Sequence, residues 1–568
     1  MSYNTTDLTP RGSRDGAPAS PDKPPASRRG WRYIGAVLAS SIVLAALMLV
    51  LANLAFAQSA QKKAPPAPKP YMVEDIYPGA TGSEPNNLFN FKGTLLFSAN
   101  HPDFGEELWR SEGTERNTKL VKDIDPGPLV INDVENTETG SSAPDKVLRT
   151  KKWIYFAATT VKYGEELWKS DGTKSGTKIV KDIVPGPDDS GAENFVSTGP
   201  STTFFRAWDP DHGEELWKTD GTERGTKLIK DINPDSPPGA RCPQNQCGIP
   251  KGWSHPDTLA AMGKTVFFAA DDGIHGVELW KSDGTERGTK LVKDINITDG
   301  NSNPNDNSNL NDTRSAEVEK LFVVGKKLYF RATDGTDNGK HGVELWKSDG
   351  TEAGTTLVKD INPAPPAATG TTCKRAKNCA GSSWADDMTL VNGKVYFTAN
   401  DGANGVELWR TDGTEAGTTL VKDVNPEPYK PATARASDIA NLVAVGRTLY
   451  FSANDGTNGL ELWKSNGTEA GTTLVKDINP GPADSDPDQL TEFKGRLLFR
   501  ADDGVHGSEM WRSNGTEAST QLLLDIEPGP VGSEPGELTT SGPLLFFSAS
   551  NPSAGEELWA VSTKRLIR

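Results

Sequence analysis

Apolar and polar residues alternate in short runs along most of this chain. The stretch "DMTLVNGKVYFTANDGANGVELWRTDGTEAGTTLVKDV" (residues 387–424) shows the pattern once through. MTLV, VYFTA, VELWRT and TTLVKDV are rich in β-branched and aromatic side chains, which suit a pleated, half-buried backbone. NGK, NDGANG and DGTEAG lie between them, and Asn-Gly and Asp-Gly are the dipeptides of tight hairpins. The pattern predicts four antiparallel strands. No segment of the repeat region carries a 3.6-residue apolar period with helix caps.

The unit recurs. "GVELWKSDGTERGTKLVKDI" (residues 276–295) returns in shortened form, and the tryptophan of its ELW or EMW triplet falls at Trp109, Trp168, Trp217, Trp280, Trp346, Trp409, Trp463, Trp511 and Trp559. Successive spacings are 59, 49, 63, 66, 63, 54, 48 and 48, so the base period is 48 and the longer units carry insertions. Four strands repeated at that period are the signature of propeller blades. The two ends of the region are complementary. "YMVEDIYPG" (71–79) matches a fourth strand without its predecessors, and "GEELWAVSTKRLIR" (555–568) has a third strand with no DGT hairpin after it. Together they complete one unit, as in a ring closed by its N-terminal strand. The expectation is an all-β protein: one closed β-propeller of about nine four-stranded blades over residues 71–568. Common rings have about four to eight blades, so two smaller propellers are the alternative.

Alternation within the third strand puts Glu278, Trp280 and Ser282 on one face, and Val277, Leu279 and Lys281 on the other. Both faces of a blade are covered by its neighbours, so the nine tryptophans read as a repeated core. Gly284 and Gly288 fit turn positions with positive φ. One hairpin register sets Glu278 opposite Lys293 and Lys281 opposite Lys290. The Glu before LW and the Asp of VKDI (Asp75, Asp123, Asp182, Asp231, Asp294, Asp360, Asp423, Asp477 and Asp525) occur once per unit, which suits turn capping and cross-strand pairing better than catalysis. His212, His275, His341 and His506 share one turn position that elsewhere holds Phe, Tyr, Asn or Ala, a variety unlike a metal-ligand set. No Ser-His-Asp constellation, P-loop or zincin motif is present in the sequence.

Charge and the chain's first segment add an address. Residues 1–70 hold nine Lys/Arg against three Asp, a net +6; the whole chain is −16, so the remainder carries −22. An acidic body repels phosphate backbones, which excludes nucleic acid as the expected partner. Residues 1–33 are Pro-, Ser- and Arg-rich, the composition of a disordered cytoplasmic n-region. Residues 34–57 are uncharged and apolar, long enough at about 1.5 Å per residue to span a bilayer as a helix. They read as a cleaved signal peptide, with Ala55 and Ala57 at an A-x-A site, or as an uncleaved signal anchor that ties the protein to the membrane. Residues 58–70 are a Pro-rich linker. The body is thus expected to be periplasmic, cell-surface or secreted.

Two cysteine pairs, Cys242/Cys247 and Cys373/Cys379, fall in insertions and suit local disulfides in an oxidising compartment. All long insertions (128–144, 233–255, 296–317 and 362–384) fall between a fourth strand and the next first strand. In a propeller these connections share a face with the second-to-third turns, which bring Asp271, Asp272, Asp334, Asp401, Asp455, Asp502 and Asp503 to an expected binding face. Asp299, Asn301 and Asn303 have the D-x-N-x-N spacing of Ca²⁺ ligands, although Pro304 stands where that loop needs Gly. Ca²⁺ is the one candidate cofactor.

The unit "ELWKSDGTEAGTTLVKDINPG" (461–481) resembles the ELWxxDGT repeat family of exported bacterial proteins, from about residue 71 to 568. It departs mildly at Glu112, Asn466, Asn514, Met510 and Ser519. The resemblance implies an exported propeller and brings no catalytic residue or substrate. The expected function is a binding scaffold presenting insertion-bearing loops to a protein or glycan partner. The alternatives are a propeller glycosidase or lyase with carboxylates in the central funnel, and a structural surface or adhesion component.

Overall fold

The Asn-Gly and Asp-Gly turns fold each unit into a four-stranded antiparallel meander in a computed structural model of the protein. The structure describes residues 69–127, 130–131, 134–135, 140–234, 252–297, 315–335, 341–363, 381–426 and 437–566. Nine four-stranded sheets are present, plus a two-stranded ribbon, Val130–Ile131 with Val134–Glu135, in the first insertion. Blades 1 to 8 span 86–122, 145–181, 193–230, 257–293, 319–359, 386–422, 440–476 and 488–524. Blade 9 combines Gly536–Ser541, Leu544–Asn551 and Gly555–Ser562 with Tyr71–Glu74 from the other end of the repeat region. Tyr71 pairs with Ala560, Met72 with Trp559 and Glu74 with Leu558. First strands of successive blades touch all round the ring, blade 9 against blade 1 included. They form its inner wall, and the fourth strands lie outermost. The protein is a single nine-bladed β-propeller. The apolar segment 34–57 lies outside the described residues, and among those residues no helix is long and apolar enough to cross a membrane.

The two faces of the third strand serve two different junctions. Trp280 packs with Phe204 and Leu216 of blade 3, whereas Leu279 packs with Leu328, Phe330 and Trp346 of blade 5. Eight of the triplet tryptophans are 4–6% exposed and Trp559 is half-buried. Each such burial contributes on the order of 3 kcal/mol. Lysines of VKD lie over the next blade's indole: Lys230 is 5.5 Å from the Trp280 ring and Lys293 is 5.9 Å from that of Trp346. Their ammonium groups also donate to the next blade, Lys293 to the Thr355 carbonyl at 2.9 Å and Lys359 to that of Thr418 at 3.0 Å.

A bulge corrects the expected hairpin register. Leu279, not Glu278, faces Lys293; Trp280 then faces Leu291, so Val292 is the extra residue. Lys281 does face Lys290. Its charge is drawn away, because Lys281 Nζ donates to the Gly350 carbonyl of blade 5 at 2.5 Å. Lys347 and Lys464 repeat this latch, on Gly413 and Gly515, at 2.6 Å. Gly284 has φ +87° as expected. Gly288 is needed for space instead: a Cβ there would lie 2.0 Å from Asp283 Oδ1, and its φ is not positive.

The insertion face and inner wall as candidate functional site

Second-to-third turns and fourth-to-first connections emerge on one face of the ring, here the insertion face. The turns are built by their own aspartates. Asp272 accepts from the Ile274 and His275 N–H at 3.0 and 2.9 Å, and its second oxygen lies 2.8 Å from His275 Nδ1. Asp503 holds Val505 and His506 in the same way, at 3.0 and 2.9 Å. Asp401 and Asp455 do so with Asn404 and Asn458, whose amides replace the imidazole at 2.8 Å. Asp334 pairs with His341 at 2.9 Å. Asp271 and Asp502 each accept the N–H of a turn glycine at 2.7 Å. The candidate binding-face carboxylates therefore share a face but are spread over five turns, with Asp271 and Asp272 in one and Asp502 and Asp503 in another. The histidines His212, His275, His341 and His506 belong to these caps, each beside the aspartate of its own turn.

The glutamate before LW sits just beneath. All nine (Glu107, Glu166, Glu215, Glu278, Glu344, Glu407, Glu461, Glu509 and Glu557) are buried. Glu461 accepts the Ile478 and Asn479 N–H at 2.9 and 3.2 Å and the Ser485 hydroxyl at 2.7 Å. It ties the third strand to the end of the fourth and to the connection entering the next blade. Ser83, Ser142, Ser190, Ser254, Ser437 and Ser533 do the same for their glutamates. In blade 4 the serine is replaced by Ala316. Burial pushes these carboxyls up, against the opposing pull of the hydrogen bonds: to about 7 at Glu107, Glu166, Glu407 and Glu461, and about 8 at Glu215 and Glu344. Glu278, lacking the hydroxyl, is pushed furthest, to about 9. The serine recurs in connections of differing length, so no fixed period reveals it in the sequence.

The inner wall carries a second device that sequence periodicity did not reveal. Every first strand has a bulge near its start, with a left-handed residue there: Asn87, Lys146, Asn194, Thr258, Lys320, Asp387, Asn441, Gln489 and Glu537. All nine are polar and none is Gly. In three blades an arginine of the second strand pairs with the acid opposite it: Arg206 with Glu193, Arg331 with Glu319 and Arg500 with Asp488. Arg206 also contacts His255, and Arg331 stacks 5.2 Å from the Trp384 ring. Along blades 6 to 8 the wall holds a cavity of about 490 Å³ lined by Asp387, Met388, Thr389, Asn441, Leu442, Val443, Asp488, Gln489 and Leu490.

Cys242, Cys247, Cys373 and Cys379, and the Ca²⁺ candidates Asp299, Asn301 and Asn303, lie outside the described residues. Among the described residues no group of three or more His, Cys, Asp or Glu is arranged to hold a metal.

No protein-family model matches the sequence, and no curated protein matches it. Solved structures with some similarity include the crystal structure of puromycin hydrolase, with TM-score 0.33 and 12% identity. A puromycin-hydrolyzing peptidase of Mycobacterium tuberculosis has TM-score 0.32, 10% identity and coverage of 78% of this chain and 61% of its own. A prolyl endopeptidase structure has TM-score 0.33 and 11% identity. The match spans 72% of this chain and 58% of the puromycin hydrolase chain. Likeness at this level assigns neither activity nor substrate.

Proposed function

We propose that residues 71–568 form an exported or envelope-anchored binding scaffold of the ELWxxDGT type, which presents its insertion face to a protein or glycan partner. One observation carries this reading: the repeated side chains are spent on joining blades, while the large departures from the repeat gather on one face. The glutamates tie crossovers, the tryptophans and lysines fill and latch the junctions, and aspartates such as Asp272 cap the second-to-third turns, whereas the VKD aspartates of blades 1 to 7 each leave one buried oxygen without a hydrogen bond among the described residues. Little of the motif remains for chemistry at a single site. Exposed aliphatic tips are on the same face: Val161, Ile274 and Val505 on second-to-third turns, and Ile297 and Val531 in connections, are 50–75% exposed. Apolar tips among polar loops suit macromolecular contact.

The test is loop replacement. Substituting 296–317 or 362–384 by the short connection of blade 7 to blade 8 (479–488) leaves the melting temperature nearly unchanged, because longer surface loops cost only about 0.6 kcal/mol per doubling. It abolishes capture of the partner found by screening residues 71–568 against glycans and envelope proteins, with and without Ca²⁺. Full binding after both replacements would refute the insertion-face reading.

A further inference from the structure

The inner wall is not equivalent in its nine sectors. Over much of the ring the side chains at the first-strand bulge are committed to neighbours. Lys146 reaches Glu165 at 2.9 Å and Glu193 at 3.6 Å, and Asn194 donates to Asp257 at 2.8 Å. Lys320 pairs with Asp386 at 3.1 Å, and Glu537 accepts the Leu88 N–H at 3.1 Å. Blades 6 to 8 differ. The side chains of Asp387 and Gln489 make no hydrogen bond among the described residues. Asn441 uses its amide hydrogens on Ser452 Oγ at 3.2 Å and the Pro487 carbonyl at 3.3 Å, which fixes the side chain and leaves Oδ1 as an open acceptor. These three residues line the 490 Å³ cavity together with Met388, Leu442, Val443 and Leu490.

The lining selects a ligand class. Its volume falls within the roughly 300–1,000 Å³ of small-ligand sites. It holds no cation, so a phosphate or carboxylate ligand has no partner there. It holds no aromatic ring, so a nucleobase has no stacking platform. Asp488 is already paired with Arg500, through Nε at 2.7 Å and through Nη2, so Asp387 is the one lining carboxylate without a hydrogen-bonded partner among the described residues, too few to hold a polycation. A carboxylate, an amide and an amide oxygen in a cavity also lined by aliphatic residues are the complement of vicinal hydroxyls and the C–H face of a sugar ring.

We propose that the inner wall of blades 6 to 8 is a subsite for a neutral oligosaccharide, held by Asp387, Asn441 and Gln489. The proposal rests on the binding-scaffold reading but places this contact on the inner wall, apart from the insertions. Residues 71–568 are applied to an array of neutral di- to tetrasaccharides, and the best ligand is titrated by calorimetry. Asp387→Ala weakens it about tenfold or more and Gln489→Ala about threefold to tenfold, the losses expected of hydrogen bonds to a charged and to a neutral group. Asn87→Ala, at the same position on another blade, leaves the affinity unchanged, and unaltered melting temperatures show that the variants fold. The protein with both insertions replaced binds the same sugar with full affinity. Absence of any neutral oligosaccharide ligand overturns the proposal, as does sugar binding insensitive to both alanine variants. Sugar binding lost on loop replacement but retained in Asp387→Ala also overturns it, and leaves the insertion-face reading standing. Displacement of the sugar by an oligolysine peptide competing for Asp387 would refute the neutral-ligand assignment.

Discussion

A buried glutamate with its hydrogen-bond donors supplied by two blades is the smallest working part of this ring. Its proton is coupled to folding. Burial raises these carboxyls above their ordinary value of 4.5, to about 7–8 in six blades and about 9 at Glu278. A raised folded value means that the folded state holds protons the unfolded chain releases. The stabilisation is therefore complete below about 4.5 and is lost as pH rises through the folded values. Thermal unfolding followed by circular dichroism is expected to show a melting temperature that falls from pH 6 to pH 9. Ala316→Ser gives Glu278 the hydroxyl used in other blades and reduces that fall; an unchanged pH profile would show that the missing hydroxyl is not what raises Glu278. The tryptophans act by volume. Trp346 fills the junction of blades 4 and 5, so Trp346→Ala destabilises by about 3–5 kcal/mol in chemical denaturation. Both residue types were visible in the sequence as letters repeated once per unit. Their partners were not: the serine sits in loops of variable length, and the left-handed bulge residues share polarity but no residue type.

Strand positions, turns and closure were legible at the scale of the element, because β-branched runs alternate with Asn-Gly and Asp-Gly. Register was legible only in part. The third-to-fourth hairpin pairs Lys281 with Lys290 as a simple count requires, but the bulge at Val292 moves Glu278 away from Lys293 and frees it to reach the Ile295 and Asn296 N–H. The chain ends improvise on the repeat. Blade 9 has Ala560 where the others carry a lysine or arginine, which latches the next blade in blades 2 to 8, and Tyr71 from the N-terminal strand donates instead to the Gly113 carbonyl of blade 1 at 2.9 Å. Blade 9 also lacks a DGT hairpin, and the short helix Thr563–Leu566 stands in for it. Arg512 of blade 8 reaches the Leu566 carbonyl at 3.5 Å, and the Leu566 side chain is buried with Phe493, Phe547 and Val561. Leu566→Ala is expected to cost about 2–5 kcal/mol, as a buried leucine does elsewhere. A loss below about 0.5 kcal/mol in denaturant unfolding would mean that the tail covers the blade without holding it.

At the scale of the whole molecule the ring is a circle of nine blade-to-blade junctions, and the seam lies within blade 9, between its third strand and Tyr71–Glu74. The chain crosses itself there only by way of Tyr71–Glu74, yet the crossover is secured as in the others: Glu557 accepts the Ile76 and Tyr77 N–H at 3.2 and 3.0 Å and the Ser83 hydroxyl at 2.6 Å. Nothing in that geometry requires the strand to come from a different end of the chain. Strand 555–562 and strand 71–74 are antiparallel neighbours, the same relation that the DGT hairpin joins between Ser508–Ser513 and Gln521–Leu524. A permuted chain tests this. Residues 562–568 are replaced by the blade 8 hairpin (514–520), which runs directly into residue 71, and new ends are opened in the insertion between blades 4 and 5. The permutant is expected to fold with one cooperative transition, since the strand pairing and the other inter-blade contacts are kept and the covalent hairpin offsets the loss of the Arg512 contact to Leu566 and of the buried Leu566 side chain. Its opened insertion joins two blades whose own contacts, Leu279 against Trp346 and Lys281 on Gly350, are side-chain contacts independent of chain continuity. A permutant that unfolds in two steps, or not at all cooperatively, would mean that the native seam does more than close the circle, and that blade 9 must assemble last for the ring to form.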